Sequence, residues 1–234
     1  FDGNGDATLL DNTQTGLQYS DRLDIMGTGT LNIDESRQLQ LITQYYKSQG
    51  DDDYGLNLGK GFSAIRGTST PFVSNGLNSD RIPGTERHLI SLQYSDSAFL
   101  GQELVGQVYY RDESLRFYPF PTVNANKQVT AFSSSQQDTD QYGMKLTLNS
   151  KPMDGWQITW GLDADHERFT SNQMFFDLAQ ASASGGLNNK KIYTTGRYPS
   201  YDITNLAAFL QSDYDINNLF TLNGGVRYQY TENK

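Results

Sequence analysis

Two clusters of cations and aromatic rings stand out in a chain that is otherwise acidic. One holds Arg111, Arg116, Phe117, Tyr118 and Phe120. The other holds Lys190, Lys191, Tyr193, Arg197, Tyr198 and Tyr201. Lys60, Phe62, Arg66 and Arg81 form a thinner third group. Between Thr170 and Tyr201 the basic residues are Lys190, Lys191 and Arg197, and the acidic one is Asp177, in a chain of net charge −9. Guanidinium and ammonium groups offer charge-assisted hydrogen bonds. Tyr and Phe offer stacking area at low entropic cost. Together they suit a compact anion with apolar surface. Contact with lipopolysaccharide phosphates, or ordinary loop chemistry, explains any single one of them equally well.

Other chemistry is thinly represented. The histidines are His88 and His166, and neither pairs legibly with a nucleophile or a carboxylate as hydrolytic catalysis requires. The chain therefore reads as a non-enzyme. Asp2-Gly3-Asn4-Gly5-Asp6 starts like a calcium loop but has Ala7 and Thr13 where Gly and Glu are needed. Asp51-Asp52-Asp53 reads as a solvated loop before it reads as a cation site. Gly55 to Gly61 is one residue short of a phosphate loop and lacks Ser or Thr after Lys60. No metal or directly bound cofactor is expected. Cysteine is absent, which removes disulfide scaffolds and thiolate sites. No basic stripe marks a nucleic-acid binder.

The elements that carry the loops show a different regularity. From Thr204 to Thr231, Leu206, Ala208, Leu210 and Tyr214 share one parity and Ala207, Phe209, Gln211 and Asp213 the other. After the Ile216-Asn217-Asn218 connection, Leu222, Val226, Tyr228 and Tyr230 alternate with Asn223, Arg227 and Gln229. Period two on both sides of a short polar turn predicts a β-hairpin. The same pattern recurs at 22–45, 87–111 and 142–165. About eight strands result, joined alternately by short turns and by three long stretches near 48–85, 112–139 and 170–202.

The parities differ in charge. The one containing Leu222 has no Asp, Glu, Lys or Arg in the strand middles, whereas the other carries Asp24, Glu103, Lys145, Asp163, Asp165, Asp213 and Arg227. A soluble sandwich would turn its charges outward, over a core of aliphatics. Eleven residues at about 3.3 Å rise, tilted by about 45°, cover the roughly 25 Å apolar band of a membrane barrel. Tyr45, Tyr94, Tyr110, Tyr142, Trp156, Tyr214 and Tyr228 fall toward strand ends, as an aromatic girdle would. The expectation is all-β: a transmembrane antiparallel barrel segment with short periplasmic turns and long extracellular loops, ahead of a soluble all-β protein. Leu222 and Val226 then face lipid, with Leu222 near mid-bilayer. Asn223, Arg227, Arg22 and Lys145 face the lumen. Mean hydropathy of −0.63 fits, because such strands are apolar only at alternate positions. Both chain ends fall on the long-loop side, which predicts a section of a larger barrel.

NLAAFLQSDYDINNLFTLNGGVRYQYTENK and DRLDIMGTGTLNIDESRQLQLITQYYKSQ resemble barrel hairpins of TonB-dependent outer-membrane siderophore receptors, and the likeness extends over essentially all of residues 1–234. The resemblance implies about eight strands of a barrel of about 22, with the plug and closing strands outside this stretch. It implies import of a ferric siderophore, of the hydroxamate–citrate kind, energised by the TonB–ExbB–ExbD complex through the plug. It also implies outer-membrane lipid and lipopolysaccharide around the barrel, and use as a bacteriocin or phage receptor. On that view Arg111, Arg116, Phe117, Tyr118, Phe120, Lys190, Lys191, Tyr193, Arg197 and Tyr198 capture the chelate at the mouth. A passive porin-like channel, or an adhesin or structural barrel, is the alternative.

Overall fold

In a computed structural model of the chain, residues 20–50, 58–62, 83–126 and 128–234 are described. The expectations placed on Asp2 to Asp6, Asp51 to Asp53, Arg66 and Arg81 lie outside the described residues. Among the described residues there are ten strands: β1 (Ser20–Asn32), β2 (Arg37–Gly50), β3 (Gly84–Phe99), β4 (Gln102–Arg116), β5 (Phe120–Val123), β6 (Val129–Met153), β7 (Trp156–Phe176), β8 (Lys191–Gly196), β9 (Tyr201–Asn217) and β10 (Phe220–Asn233). A single-turn 3-10 segment spans Lys60–Phe62, and one helix, α1, spans Leu178–Ser184. Eight strands lie side by side in chain order, β1-β2-β3-β4-β6-β7-β9-β10. The two short ones pair off the path, β5 with β6 and β8 with β7. Every pairing is antiparallel. The eight expected strands are thus present as one sheet, with the two additional strands inside the loops.

The short connections share one end of the sheet and are closed by specific chemistry. Asp34 Oδ1 accepts from the Ser36 and Arg37 amides, each at 2.9 Å, and its Oδ2 accepts from Arg37 Nε at 2.6 Å. The Arg37 guanidinium and the Ser36 amide hold this carboxyl well below the usual carboxylate range. Gly101 and Gly155 take φ of 78° and 76° in the β3–β4 and β6–β7 turns, a conformation that glycine adopts without a Cβ clash. Asn217 Oδ1 accepts from the Leu219 amide at 2.8 Å and the Phe220 amide at 3.1 Å, closing β9 to β10. The turns are tighter than the sequence suggests, because β3 runs to Phe99 and β9 to Asn217, leaving two residues in each bend.

The two faces separate as the parity implies. Ile90, Leu92, Val108, Met144, Leu162, Leu206, Leu210 and Val226 all expose large apolar side chains on the outer face. Such a band needs lipid to cover it. On β10 its centre falls at Val226, which pairs with Leu210 and, through it, Trp160. Leu222 lies opposite Tyr214, and Tyr214 packs edge-on against Trp156 at 6.4 Å beside the short turns. Leu222 thus belongs to the inner aromatic girdle, and the expectation of a mid-bilayer position is corrected.

At the other end the outer girdle is Tyr110, Tyr142 and His166, with Tyr45 and His88 beside it. Tyr142 and His166 rings are 5.1 Å apart, and Tyr45 and His88 rings 4.9 Å apart. His166 Nδ1 lies 2.9 Å from Thr204 Oγ1 and its Nε2 lies 3.6 Å from Asp202, itself bonded to Arg168 at 3.1 Å. Charges resume directly above the rings, and Tyr110 donates to Asp140 at 2.8 Å.

The inner face is polar and internally bonded. Gln107 donates to Ser91 and Gln44 to Asp24, both at 2.8 Å. Asn205 donates to Asp165 at 2.9 Å and Arg227 to Asp163 at 2.7 Å. Arg227, expected to face the lumen, is held there by its own wall. Tyr109 lies flat over Gly143, and Phe209 over Gly161: a Cβ at Gly161 would stand 2.2 Å from the Leu146 carbonyl and 2.6 Å from the Phe209 ring. Aromatics laid over glycines keep bulk out of the lumen.

Strand length departs most from expectation. β6 has 25 residues and β7 21, so much of the stretches read as irregular is ladder. Gln136, Gln137, Asp138 and Thr139 pair in register with residues 169–172 of β7. Over Gln136 to Thr139 both faces of β6 are polar, so the ladder persists there without apolar alternation to reveal it.

Candidate functional site

The long β6–β7 extension is the scaffold of the mouth. Its outward parity carries a small hydrophobic core: Leu58, Phe62, Phe132, Phe176 and Ala181, with Val129, Met174 and Leu178 packed around it. Phe62 and Phe132 rings are 5.0 Å apart and Phe132 and Phe176 rings 6.3 Å apart. Asp177 caps α1 by accepting from the Gln180 amide at 2.9 Å. The Leu58 amide donates to the Gly185 carbonyl at 2.7 Å, tying the β2–β3 connection to the β7–β9 connection. Gly186, at φ 92°, brings its backbone against Phe132, where a Cβ would meet the ring at 2.9 Å. Sequence reading placed Lys60 and Phe62 in a binding loop; Phe62, 2% exposed, is a core residue.

On the other side of the same extension lies a cavity of about 480 Å³ lined by Phe117, Tyr118, Phe120, Gln137, Arg197 and Tyr198. β6 supplies Gln137, the segment after β4 supplies Phe117 and Tyr118, β5 begins at Phe120, and Arg197 and Tyr198 follow β8. The Phe117 amide donates to the Ser135 carbonyl at 3.0 Å, and Ser134 Oγ donates back to the Phe117 carbonyl at 2.8 Å. The Arg197 amide donates to the Ser171 carbonyl at 3.0 Å. Its guanidinium donates to Ser135 Oγ and lies 5.3 Å from the Phe120 ring and 5.2 Å from the Tyr198 ring. Among the described residues Arg197 has no carboxylate partner within salt-bridge distance, unlike Arg37, Arg87, Arg168 and Arg227. Held by a neutral hydroxyl between two rings, its charge is free to meet an anion.

Five of the ten residues marked from sequence therefore meet: Phe117, Tyr118, Phe120, Arg197 and Tyr198. The others go elsewhere. Arg111 stands inside β4 on the inner wall, opposite Leu89 and Gln141. Arg116 ends β4 on the outward parity, opposite Gly84. Lys190 and Lys191 are exposed beside Asp177 and Phe176, and the Lys190 carbonyl accepts from the Asp177 amide at 2.9 Å. Tyr193 stacks on Phe175 at 4.7 Å and 14°, away from the cavity. Gln137 and Ser135 were missed, because nothing in the run SSSQQ separates a lining residue from a spacer. Below the cavity, Phe169 and Tyr201 stack at 4.8 Å and 14°, and Tyr201 donates to Glu167 at 3.3 Å. Among the described residues no acidic or His cluster could hold a metal ion. None of their helices could cross a membrane, which does not bear on strands.

Comparison with known proteins fits this geometry. Residues 6–234 match the family described as TonB dependent receptor-like, beta-barrel. The chain is 99% identical over 234 residues to the ferric aerobactin receptor of Escherichia coli, covering all of this chain and 32% of that protein. It is 40% identical over 230 residues to the rhizobactin receptor of Rhizobium meliloti (strain 1021), covering 98% of the chain and 31% of that protein. The chain thus spans about a third of the length of these relatives. Among solved structures, the unliganded ferric citrate transporter FecA superposes with a TM-score of 0.59 at 17% identity, over 92% of this chain and 30% of that one. The copper transporter OprC gives 0.61 at 14% identity, over 92% and 30%. At those identities the likeness concerns the fold alone; the family match makes the chain a barrel section of the bacterial outer membrane, consistent with the open apolar band and its two girdles. The chain belongs to the TonB-dependent receptor-like β-barrel family.

Proposed function

We propose that the chain is the barrel section of an outer-membrane receptor that imports a ferric siderophore, ferric aerobactin, with energy delivered through TonB. The observation that carries this reading is the 99% identity along all 234 residues to a protein named for that ligand. The geometry supports it: one uncompensated guanidinium, framed by Phe117, Tyr118, Phe120 and Tyr198, suits an anionic chelate with apolar arms. The energy-coupling complex TonB–ExbB–ExbD acts through a plug inside the barrel, and lipopolysaccharide with outer-membrane lipid covers the apolar band. A solved neighbour at 11% identity is a complex of FpvAI with pyocin S2, and a bacteriocin is a further ligand proposed for this mouth.

The test is equilibrium binding of ferric aerobactin to the full-length receptor in outer-membrane vesicles, with Arg197→Ala and Lys191→Ala compared. Losing a charge-assisted hydrogen bond and the stacked guanidinium weakens binding about tenfold or more for Arg197→Ala. Lys191→Ala changes it by less than about twofold. Ion conductance without chelate binding by the wild type would favour a passive channel instead.

A further inference from the structure

In a chain of 27 acidic and 18 basic residues, the strand that lines the mouth cavity sorts its acids to one side. On β6 the inward parity above the girdle reads Ala131, Ser133, Ser135, Gln137, Thr139 and Gln141, without a charge. The outward parity of the same stretch carries Asp138 and Asp140. Two of the inward residues are already engaged. Ser133 Oγ accepts from Gln173 Nε2 at 2.9 Å, and Ser135 Oγ accepts from the Arg197 guanidinium. Both serines are fully buried. Gln137 is different: it is half-buried and lines the cavity, and among the described residues nothing hydrogen-bonds its carboxamide. Its neighbours across the ladder are Leu115 on β4 and Ser171 on β7, both uncharged. The first carboxylates deeper on the wall are Glu113, opposite Thr139, and Glu167, opposite Gln141. Glu113 faces Arg87 at 3.8 Å, and Glu167 accepts from Tyr201 at 3.3 Å.

A carboxamide and a carboxylate have nearly the same shape and act oppositely on a nearby cation. A carboxylate within about 4–6 Å of a guanidinium pairs with it and cancels its pull on an incoming anion. A carboxamide leaves the charge whole and adds two N–H donors and an acceptor oxygen. Gln137 therefore does two things in the cavity. It leaves the charge of Arg197 uncompensated, and it offers a neutral hydrogen-bonding group to a carbonyl or hydroxyl of the ligand, beside the anionic oxygen that Arg197 takes. A site built to hydrogen-bond such a group discriminates against analogues without it, because its own polar atoms are then left unpaired.

We infer that Gln137 is a specificity-determining residue of the mouth, a direct neutral contact to the ferric chelate whose lack of charge preserves the preference for an anion. The inference rests on the receptor reading above and assigns the specificity of that same cavity to β6.

The experiment uses the full-length receptor in outer-membrane vesicles and two probes: ferric aerobactin, and the same chelate with its free carboxylates converted to methyl amides. Wild type should prefer the native chelate by about tenfold or more. Gln137→Glu should remove that preference, weakening the native chelate about tenfold and shifting the amide by less than about threefold. Gln137→Leu, which takes away the hydrogen bond without adding charge, should weaken both probes about fivefold and keep the preference. A wild type without preference overturns the inference. So does a Gln137→Glu receptor that weakens both probes equally, the pattern of a role in shape alone. A Gln137→Leu receptor that binds both probes as wild type does has lost no contact, and overturns it too. Each of those outcomes leaves the receptor reading standing. If wild type binds neither probe, the receptor reading itself fails and the inference falls with it.

Discussion

The staves below the outer girdle and the extensions above it use the same ladder and are stabilised differently. In the staves each side chain is assigned by parity: apolar to lipid, polar to a bonded inner wall, and the residue itself contributes little beyond facing the right way. In the extensions, Phe132 and Phe176 are 1% and 2% exposed, and their burial joins two connections that are remote in sequence. The lower region tolerates any apolar residue outward. The upper region depends on particular residues, Phe132 against Gly186 among them. This difference separates a generic membrane wall from a shaped binding surface.

The largest expected effect tests the upper region. Truncating a buried Phe to Ala costs about 3–5 kcal/mol, and Phe132→Ala should withdraw that amount from the loop core alone. Protease cleavage near α1 and faster amide exchange there are the expected results, with the barrel still heat-resistant in detergent. Barrel unfolding in step with the loop would show that the two regions are one cooperative unit.

A second test addresses the lower region. Val226→Arg places a charge at the centre of the band, where Arg costs about 2–4 kcal/mol, whereas Leu222→Arg at the inner girdle should cost about 1 kcal/mol or less. Gln229→Arg, facing the lumen, should cost less still. Urea unfolding of the receptor in vesicles ranks the three. A larger penalty at residue 222 than at 226 would reverse the depth derived from the Leu222–Tyr214 pairing.

The same division explains what the sequence discloses. Parity exposed the staves, since Leu206 and Leu210 must alternate with Ala207 and Phe209 if one face meets lipid and the other water. The girdles followed from Tyr110, Tyr142 and Trp156. The extensions escaped because Gln136 to Thr139 are polar on both faces, leaving the ladder without contrast. Half of the marked mouth residues gathered because cation and ring were the right chemistry. Arg111 and Tyr193 went elsewhere because side-chain direction depends on a register that composition does not carry.

The smallest effect concerns the periplasmic end, where Asp34 gathers the Ser36 and Arg37 amides and the Arg37 guanidinium. Its folded pKa is depressed by these donors, so the stability it contributes is present above the ordinary carboxylate pKa of about 4 and lost as pH falls through the lower folded value. Asp34→Asn keeps an acceptor for the amides but removes the charge. The variant should unfold slightly earlier than wild type at pH 7 and at pH 5, and the gap should close only below about pH 4. A gap already closed at pH 5 would mean that another group, with a raised rather than depressed pKa, sets the acid sensitivity of this turn. A gap undiminished at pH 2 would mean that the variant acts on the geometry of the turn and not on its charge. Because the pair is exposed, added salt should shrink the effect as well. The contrast with Phe132, whose contribution is expected to be indifferent to pH and salt, is then complete: one end of the barrel is closed by a charge in water, the other by a core.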